Sequence, residues 1–475
     1  MPPLPLRLSA LFLALSLSAC DDAPKFTQAE PGEARSGGSA TVRKTDQNAF
    51  SMPSANLPPS RRVDFSVGNS FFRSPWVIAP STTTARDGLG PLFNTNACQG
   101  CHIKDGRGHP PSPGDANAVS MLVRLSIPDA PAYAKVIEQL GVVPEPVYGG
   151  QFQDMAVPGV PPEGKVRVDY TAVPVRFKDG TEVEMRKPSL NITRLGYGPM
   201  HPDTRFSARV APPMIGLGLL EAIPDEAILA NAEAQAKANN GISGRPNQVW
   251  DDARQKTVLG RFGWKAGQPN LNQQNVHAFS GDMGLTTSLR PFDDCTDAQI
   301  ACKQAPSGNG PNGEPEVSDN ILRLVLFYSR NLAVPARRDV NAPDVLAGKT
   351  LFYQAGCQSC HTPKYTTAAN AAEPELANQV IRPYSDLLLH DMGDGLADNR
   401  TEFQASGREW RTPPLWGIGL TQAVSGHTQF LHDGRARNLL EAVLWHGGEA
   451  TAAQQQVLSF NAEQRTALLA FLNSL

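Results

Sequence analysis

Two pentapeptides carry the most legible chemistry in this chain. Cys98-Gln99-Gly100-Cys101-His102 and Cys357-Gln358-Ser359-Cys360-His361 share the pattern Cys-x-x-Cys-His. Two thiols one helical turn apart can add to the two vinyl groups of a haem, and the adjacent imidazole then reaches its iron. A zinc ribbon could use four such cysteines, and a thioredoxin-like pair uses one Cys-x-x-Cys beside a βαβ unit, but neither calls for both histidines. The expectation is two covalent c-type haems, attached through Cys98 and Cys101 and through Cys357 and Cys360, with His102 and His361 as proximal iron ligands.

The other three cysteines have different uses. Leu17-Ser18-Ala19-Cys20 follows an apolar stretch, Leu8 to Leu17, with Arg7 before it. That stretch is short for a membrane span and suits an export signal. The Leu-Ser-Ala-Cys run resembles the lipobox of bacterial lipoproteins, so residues 1–20 read as a signal peptide and Cys20 as the lipid-bearing residue. Cys295 and Cys302 stand apart from both haem motifs and read as one disulfide. One lipid, four thioethers and one disulfide account for all 7 cysteines, as suits an oxidising compartment. The localisation expected is the periplasm, with a lipid anchor in a bacterial membrane.

Composition narrows the remaining classes. The 475 residues are enough for two or three domains. With 40% hydrophobic and 19% charged residues, neither a disordered chain nor a polytopic membrane protein fits. A net charge of -3 and the lack of any Lys/Arg run give nucleic acid no basic face to bind. The 41 Gly and 41 Pro predict many loops and short helices.

The elements that must position the motifs fall into two halves. Asn461 to Leu475 reads as an amphipathic helix, with Asn461 as N-cap and Gln464 completing a capping box. Ile321 to Leu332 reads as its counterpart in the first half. Leu92-Phe93 and Leu351-Phe352 each precede a haem motif. Arg209 to Ala222 aligns with Arg411 to Ala423 through Gly-Leu after a one-residue gap, which sets Glu221 opposite Gln422. Tyr170 to Met185 contains Asp179-Gly180 between alternating apolar residues, a hairpin signal. The predicted organisation is a signal peptide (1–20), a flexible tether (21–60), a first haem domain with a large insertion (61–338) and a second haem domain (339–475). The fold class expected is mainly α: two cytochrome c-like domains, the first enlarged by a loop- and hairpin-containing insertion.

These motifs, with Lys104-Asp-Gly-Arg-Gly108, Gly260-Arg-Phe-Gly-Trp264-Lys265, Gly281-Asp-Met-Gly284, Leu389-His-Asp-Met-Gly393, Arg411-Thr-Pro-Pro and Phe430-Leu-His-Asp-Gly-Arg435, resemble the di-haem oxidoreductases grouped with peroxidases. Some of that family carry the label thiol oxidoreductase, and they are related to bacterial di-haem cytochrome c peroxidases and to MauG. The likeness covers nearly everything after residue 61. Its thiol label is set aside, because haem should consume the Cys-x-x-Cys sulfurs.

The resemblance implies roles for particular residues. Relatives place a Met or Tyr ligand shortly after the segment that follows His-Asp-Gly; here that position is His446, which implies a bis-histidine second haem, with Met392 as the alternative ligand. Arg411 is expected to hold haem propionates. No matching ligand is visible for the first haem: counting from Arg209 the distance between Arg411 and His446 lands on Gly244. That iron is expected to react with peroxide, with Glu221 as acid/base or, alternatively, a helix-capping carboxylate. His201 and His277 are lesser candidates for ligand or base, and His109 reads as a loop residue. His432 and Asp433 read as organisers of the second haem pocket, while Trp264 and Trp445 are core or electron relay. Relatives also hold calcium between the haems. The function implied is a peroxidase-like oxidoreductase drawing on a periplasmic or membrane electron donor and acting on a small molecule or a protein. The rival is an electron-transfer cytochrome without a substrate.

Overall fold

The computed structural model describes residues 24–475, so the signal peptide and Cys20 lie outside the described residues. Its skeleton is two crossed helix pairs. Helix Arg62–Arg73 packs on Asp319–Asn331, and helix Pro343–Gln354 packs on Ala462–Ser474. Each crossing depends on a glycine. A Cβ at Gly68 would overlap the Leu324 carbonyl oxygen, and one at Gly348 would overlap that of Ala467, so only a missing side chain lets the backbones approach this closely. One turn on, Phe72 and Phe352 lie on the same face of their helices. Their ring centres stand 6.2 Å from His102 and 6.1 Å from His361.

This pairing corrects one expected correspondence. Phe352 has Phe72 as its counterpart, not Phe93: Leu92–Phe93 is a short strand paired with Met155–Ala156. Residues inserted between the first helix and Cys98 carried the sequence comparison out of step. The two closing helices agree with expectation. Asn461 and Gln464 form the capping box of Ala462–Ser474, and Ser318 caps Asp319–Asn331.

The fold is not mainly α. Helices make up 31% of the described residues and strands 17%, in several small antiparallel sheets, so the class is mixed α/β. The difference lies in the first half. Strands Met121–Ser126, Gln151–Phe152 and Arg205–Val210 form one sheet, and the expected hairpin is much longer than its Asp-Gly signal, pairing all of Lys165–Arg176 with Glu182–Thr193. The alternation responsible is weak because both hairpin faces are largely exposed, leaving little apolar periodicity to read. The hairpin tip reaches the other half: Lys178 N donates to the Leu458 carbonyl, and Arg465 pairs with Asp179 at 2.7 Å.

Residues 24–60 do not behave as a flexible tether. Ala40, Ala49, Phe50 and Leu57 are buried, and Glu33 is 2% exposed, ion-paired to Arg337 and, at 2.8 Å, to Lys349. Arg382 donates to the carbonyls of Pro31 and Gly32, while Ser54 N donates to that of Asn331. The segment is a strap across both helix pairs. Its polar composition concealed this, since its anchors are backbone bonds and a buried ion pair instead of a periodic apolar face. The disulfide between Cys295 and Cys302 is formed.

Candidate functional site

Both pentapeptides open onto one continuous cavity of about 680 Å³. In the first, Cys98–Cys101 forms a single helical turn, and the His102 amide donates to the Cys98 carbonyl. His102 Nδ1 lies 2.8 Å from the Pro212 carbonyl. A carbonyl can only accept, so Nδ1 carries the proton and Nε2 keeps its lone pair. His361 repeats the arrangement with the Tyr384 carbonyl at 2.9 Å. Burial pushes both imidazoles down to about 4, which holds them neutral. None of the four cysteines is in a disulfide.

These positions exclude the competing uses of the cysteines. The four do not gather around a common point: among the described residues, the group of three His/Cys/Asp/Glu side chains that converges is Cys360, Asp386 and His390. Among the described residues every pairing of two strands is antiparallel, so no βαβ unit accompanies either Cys-x-x-Cys. The converging trio is occupied internally. His390 Nε2 meets Asp386 at 2.8 Å and Nδ1 meets Glu449 at 2.7 Å. Burial opposes charge on His390, but its hydrogen bonds to Asp386, Cys360 and Glu449 outweigh it and raise the imidazolium to about 12. No carboxylate-rich cluster suited to calcium is present among the described residues.

Across from His361, helix Leu439–Leu444 ends where His446 enters the cavity. His446 Nδ1 is held by the Ala442 carbonyl at 2.8 Å, which again leaves Nε2 free. The two rings face each other with centres 6.4 Å apart. A metal–imidazole bond of about 2 Å, plus about 1 Å from each Nε2 to its ring centre, requires roughly this spacing. Met392 also lines the cavity.

The first half contains the same segment with one change. Phe430 and Ala436 form an antiparallel bridge, and so do Phe262 and Gln268. Two residues on, Asn438 caps its helix by accepting from Glu441 N, and Asn270 caps helix Leu271–Met283 by accepting from Gln273 N. Buried Leu439 and Leu271 follow. Counting onward in step, His446 corresponds to Ala278, which lines the cavity. The expected equivalence with Gly244 is therefore corrected: hairpin Gln248–Asp251/Lys256–Leu259 lengthens the first half, and Gly244 lies against His390 instead. A second signal was available in the sequence, since Phe262 and Phe430 each stand eight residues before an Asn-Leu pair.

Glu221 does not line the cavity. One carboxylate oxygen accepts from Leu271 N at 2.9 Å and the other from Arg330 Nε at 2.6 Å, so it caps a helix and closes an ion pair, and the acid/base assignment gives way to this structural one. The repeat that suggested it is nevertheless present: Gly216 N donates to Leu332 and Gly417 N to Leu475, each at 3.0 Å. His277 reaches the cavity, but Asp252 at 2.8 Å and Gln268 at 2.9 Å occupy its two nitrogens. His201 lies on the surface beside Asp203, and His109 packs on His427.

On the cavity wall His432 lies flat on Trp410, with ring centres 3.6 Å apart at 11°, and meets Trp264 edge-on at 6.5 Å. Trp445 packs under Arg435.

The donor set suits haem. Arg107, Arg124, Arg290 and Arg411 all line the cavity, and none has a carboxylate within 4.0 Å among the described residues. The Arg411 guanidinium donates only to the carbonyls of Gly263 and Thr412, and Arg290 Nε is buried without a partner. Guanidinium groups stay charged when buried, so these require anions, and two haems bring two propionates each.

No curated protein matches the chain. Among solved structures, Kuenenia stuttgartiensis hydrazine synthase pressurised with xenon matches at 17% identity over 34% of this chain and 57% of that one, with a TM-score of 0.23, too low to support an argument. The family model described as "Di-haem oxidoreductase, putative peroxidase" matches residues 32–475, which takes in most of the strap, both Cys-x-x-Cys-His motifs and His446. The chain belongs to this di-haem oxidoreductase family.

Proposed function

We propose that this oxidoreductase is a periplasmic, lipid-anchored enzyme in which the first haem site reacts with peroxide and the second stores or relays electrons. The observation that carries this reading is the asymmetry of two matched segments: counted from their bridges and Asn N-caps, Ala278 stands where the second half has His446. Cys98, Cys101 and His102 would hold one haem, with Cys357, Cys360, His361 and His446 holding the other; the arginines without carboxylate partners, Arg411 among them, would take the propionates. When bound, haem supplies redox-active iron, whose potential falls with bis-histidine ligation relative to His/Met.

The chain's own residues then define a substrate face. Gln274 and Asn275 precede Ala278 by four and three residues, which sets them on its side of the helix. Both line the cavity, and Asn275 Nδ2 is buried without a partner. Their amides would donate hydrogen bonds to peroxide, and apolar Phe262 and Leu217 on the cavity wall would limit water. His432, Trp410 and Trp264 form an aromatic cluster on the wall of the shared cavity and would offer electrons a path there. An electron donor at the membrane suits the Cys20 anchor.

Stopped-flow mixing of the ferric holoprotein with hydrogen peroxide tests this reading. Rapid change of a high-spin haem band is expected, and Gln274→Leu should slow it by about 10- to 100-fold, the equivalent of a lost hydrogen bond of 1–3 kcal/mol. A wild type without any spectral response would favour the electron-transfer cytochrome.

A further inference from the structure

The two helix pairs differ at one buried position that haem attachment does not explain. In the second half, Phe471 of the closing helix packs on Phe352 with ring centres 5.1 Å apart. Its counterpart in the first half, judged by the atoms beneath Gly68 and Gly348, is Tyr328. Tyr328 is 0% exposed and packs on Phe72 at 5.2 Å, and Phe72 packs on His102 at 6.2 Å. The added hydroxyl is paired in an uncommon way for this chain. It donates to Asp105 Oδ1 at 2.6 Å, while the hydroxyls of Tyr148 and Tyr197 donate to backbone carbonyls. The other oxygen of Asp105 accepts from Ser51 Oγ at 2.6 Å, on the half-buried strap.

We infer that Tyr328, with Asp105 as its proton acceptor, is a redox-active tyrosine that delivers one electron to the first haem site after hydrogen peroxide has oxidised it. The inference rests on the peroxide reading above. Cleavage of the peroxide O–O bond withdraws two electrons from the site. Tyr328 returns one of them, its hydroxyl proton passes along the existing hydrogen bond to Asp105 Oδ1, and a neutral phenoxyl radical and a protonated carboxyl result. The aromatic chain Tyr328–Phe72–His102 supplies the contact, and the carboxylate keeps the phenol from retaining the proton, which would leave a high-energy cation. The second half has Phe471 at this place and cannot do the same, which ties the device to the half whose sixth position is Ala278.

The test is freeze-quench electron paramagnetic resonance of ferric holoprotein mixed with hydrogen peroxide, with the haem spectrum followed in parallel. Wild type is expected to give a tyrosyl signal as the oxidised haem decays. Tyr328→Phe is expected to lose that signal and prolong the oxidised haem, with haem content and the ferric spectrum unchanged. Phe471 at the equivalent place indicates that phenylalanine packs there. Asp105→Asn should slow formation of the radical. An oxidised haem without a protein radical, or an undiminished tyrosyl signal in Tyr328→Phe, overturns the inference and leaves the peroxide reading intact. A haem spectrum indifferent to peroxide overturns both.

Discussion

Replacing Ala278 by histidine should convert the first haem site into a copy of the second. Ala278 belongs to helix Leu271–Met283 and lines the cavity, so a histidine there would be carried by a regular helix on the cavity wall. Histidine for alanine in a helix interior costs about 0.5–0.7 kcal/mol, which one iron–imidazole bond readily exceeds. If the bond favours the six-coordinate form by about 2.7 kcal/mol, about 1% remains five-coordinate and the peroxide reaction slows about 100-fold. Ferric absorption and paramagnetic resonance spectra give the spin state, and stopped-flow gives the rate. Retention of the high-spin signal, with two haems bound and the fold intact, would show that Ala278 does not occupy the sixth position and would remove the basis of the repeat argument.

Three further outcomes follow from the same geometry. His446→Ala should turn the second haem from low-spin to high-spin while both haems stay attached, and an unaltered low-spin signal would transfer ligation to Met392 or another residue. Cys357→Ser with Cys360→Ser should leave one haem covalently attached after denaturation; two would refute the thioether assignment. Glu33→Gln should destabilise the holoprotein by about 3–5 kcal/mol, since it leaves buried Arg337 without its counter-charge and Lys349 with only Glu30 at 4.0 Å. Burial opposes ionisation of Glu33, but the Lys349 hydrogen bond and the Arg337 charge hold its carboxyl below the usual 4.5. Its stabilisation is thus full above that value and fades as pH falls through the lowered one, so thermal melts of wild type and variant should converge in acid. Parallel curves down to low pH would exclude this ion pair as the source.

What could be read in advance follows from how local the signals are. Cys-x-x-Cys-His is a contiguous chemical unit, and Asn461 with Gln464 is a contiguous cap, so both were legible. Glu221 and Gln422 do occupy matching positions, yet alignment could not reveal that Arg330, 109 residues away, would claim the carboxylate. The equivalence of Ala278 and His446 was obscured by the added hairpin at Gln248–Leu259, and would have emerged from anchoring on Phe262 and Phe430 instead of Arg209 and Arg411. The small sheets were underestimated because their exposed strands lack clean apolar alternation. The strap across residues 24–60 was misjudged for a related reason: polar composition resembles disorder when the contacts that order it lie about 300 residues away in sequence, as Glu33 and Arg337 do.

The central claim is that the two haem sites are ligated differently, with His446 completing one and Ala278 leaving the other without a protein sixth ligand. A low-temperature paramagnetic resonance spectrum of the purified ferric holoprotein, quantified against its haem content, tests this directly. The expected result is one high-spin and one low-spin haem per chain. Two low-spin haems, with no high-spin signal, would contradict the claim and with it the assignment of the first site to peroxide.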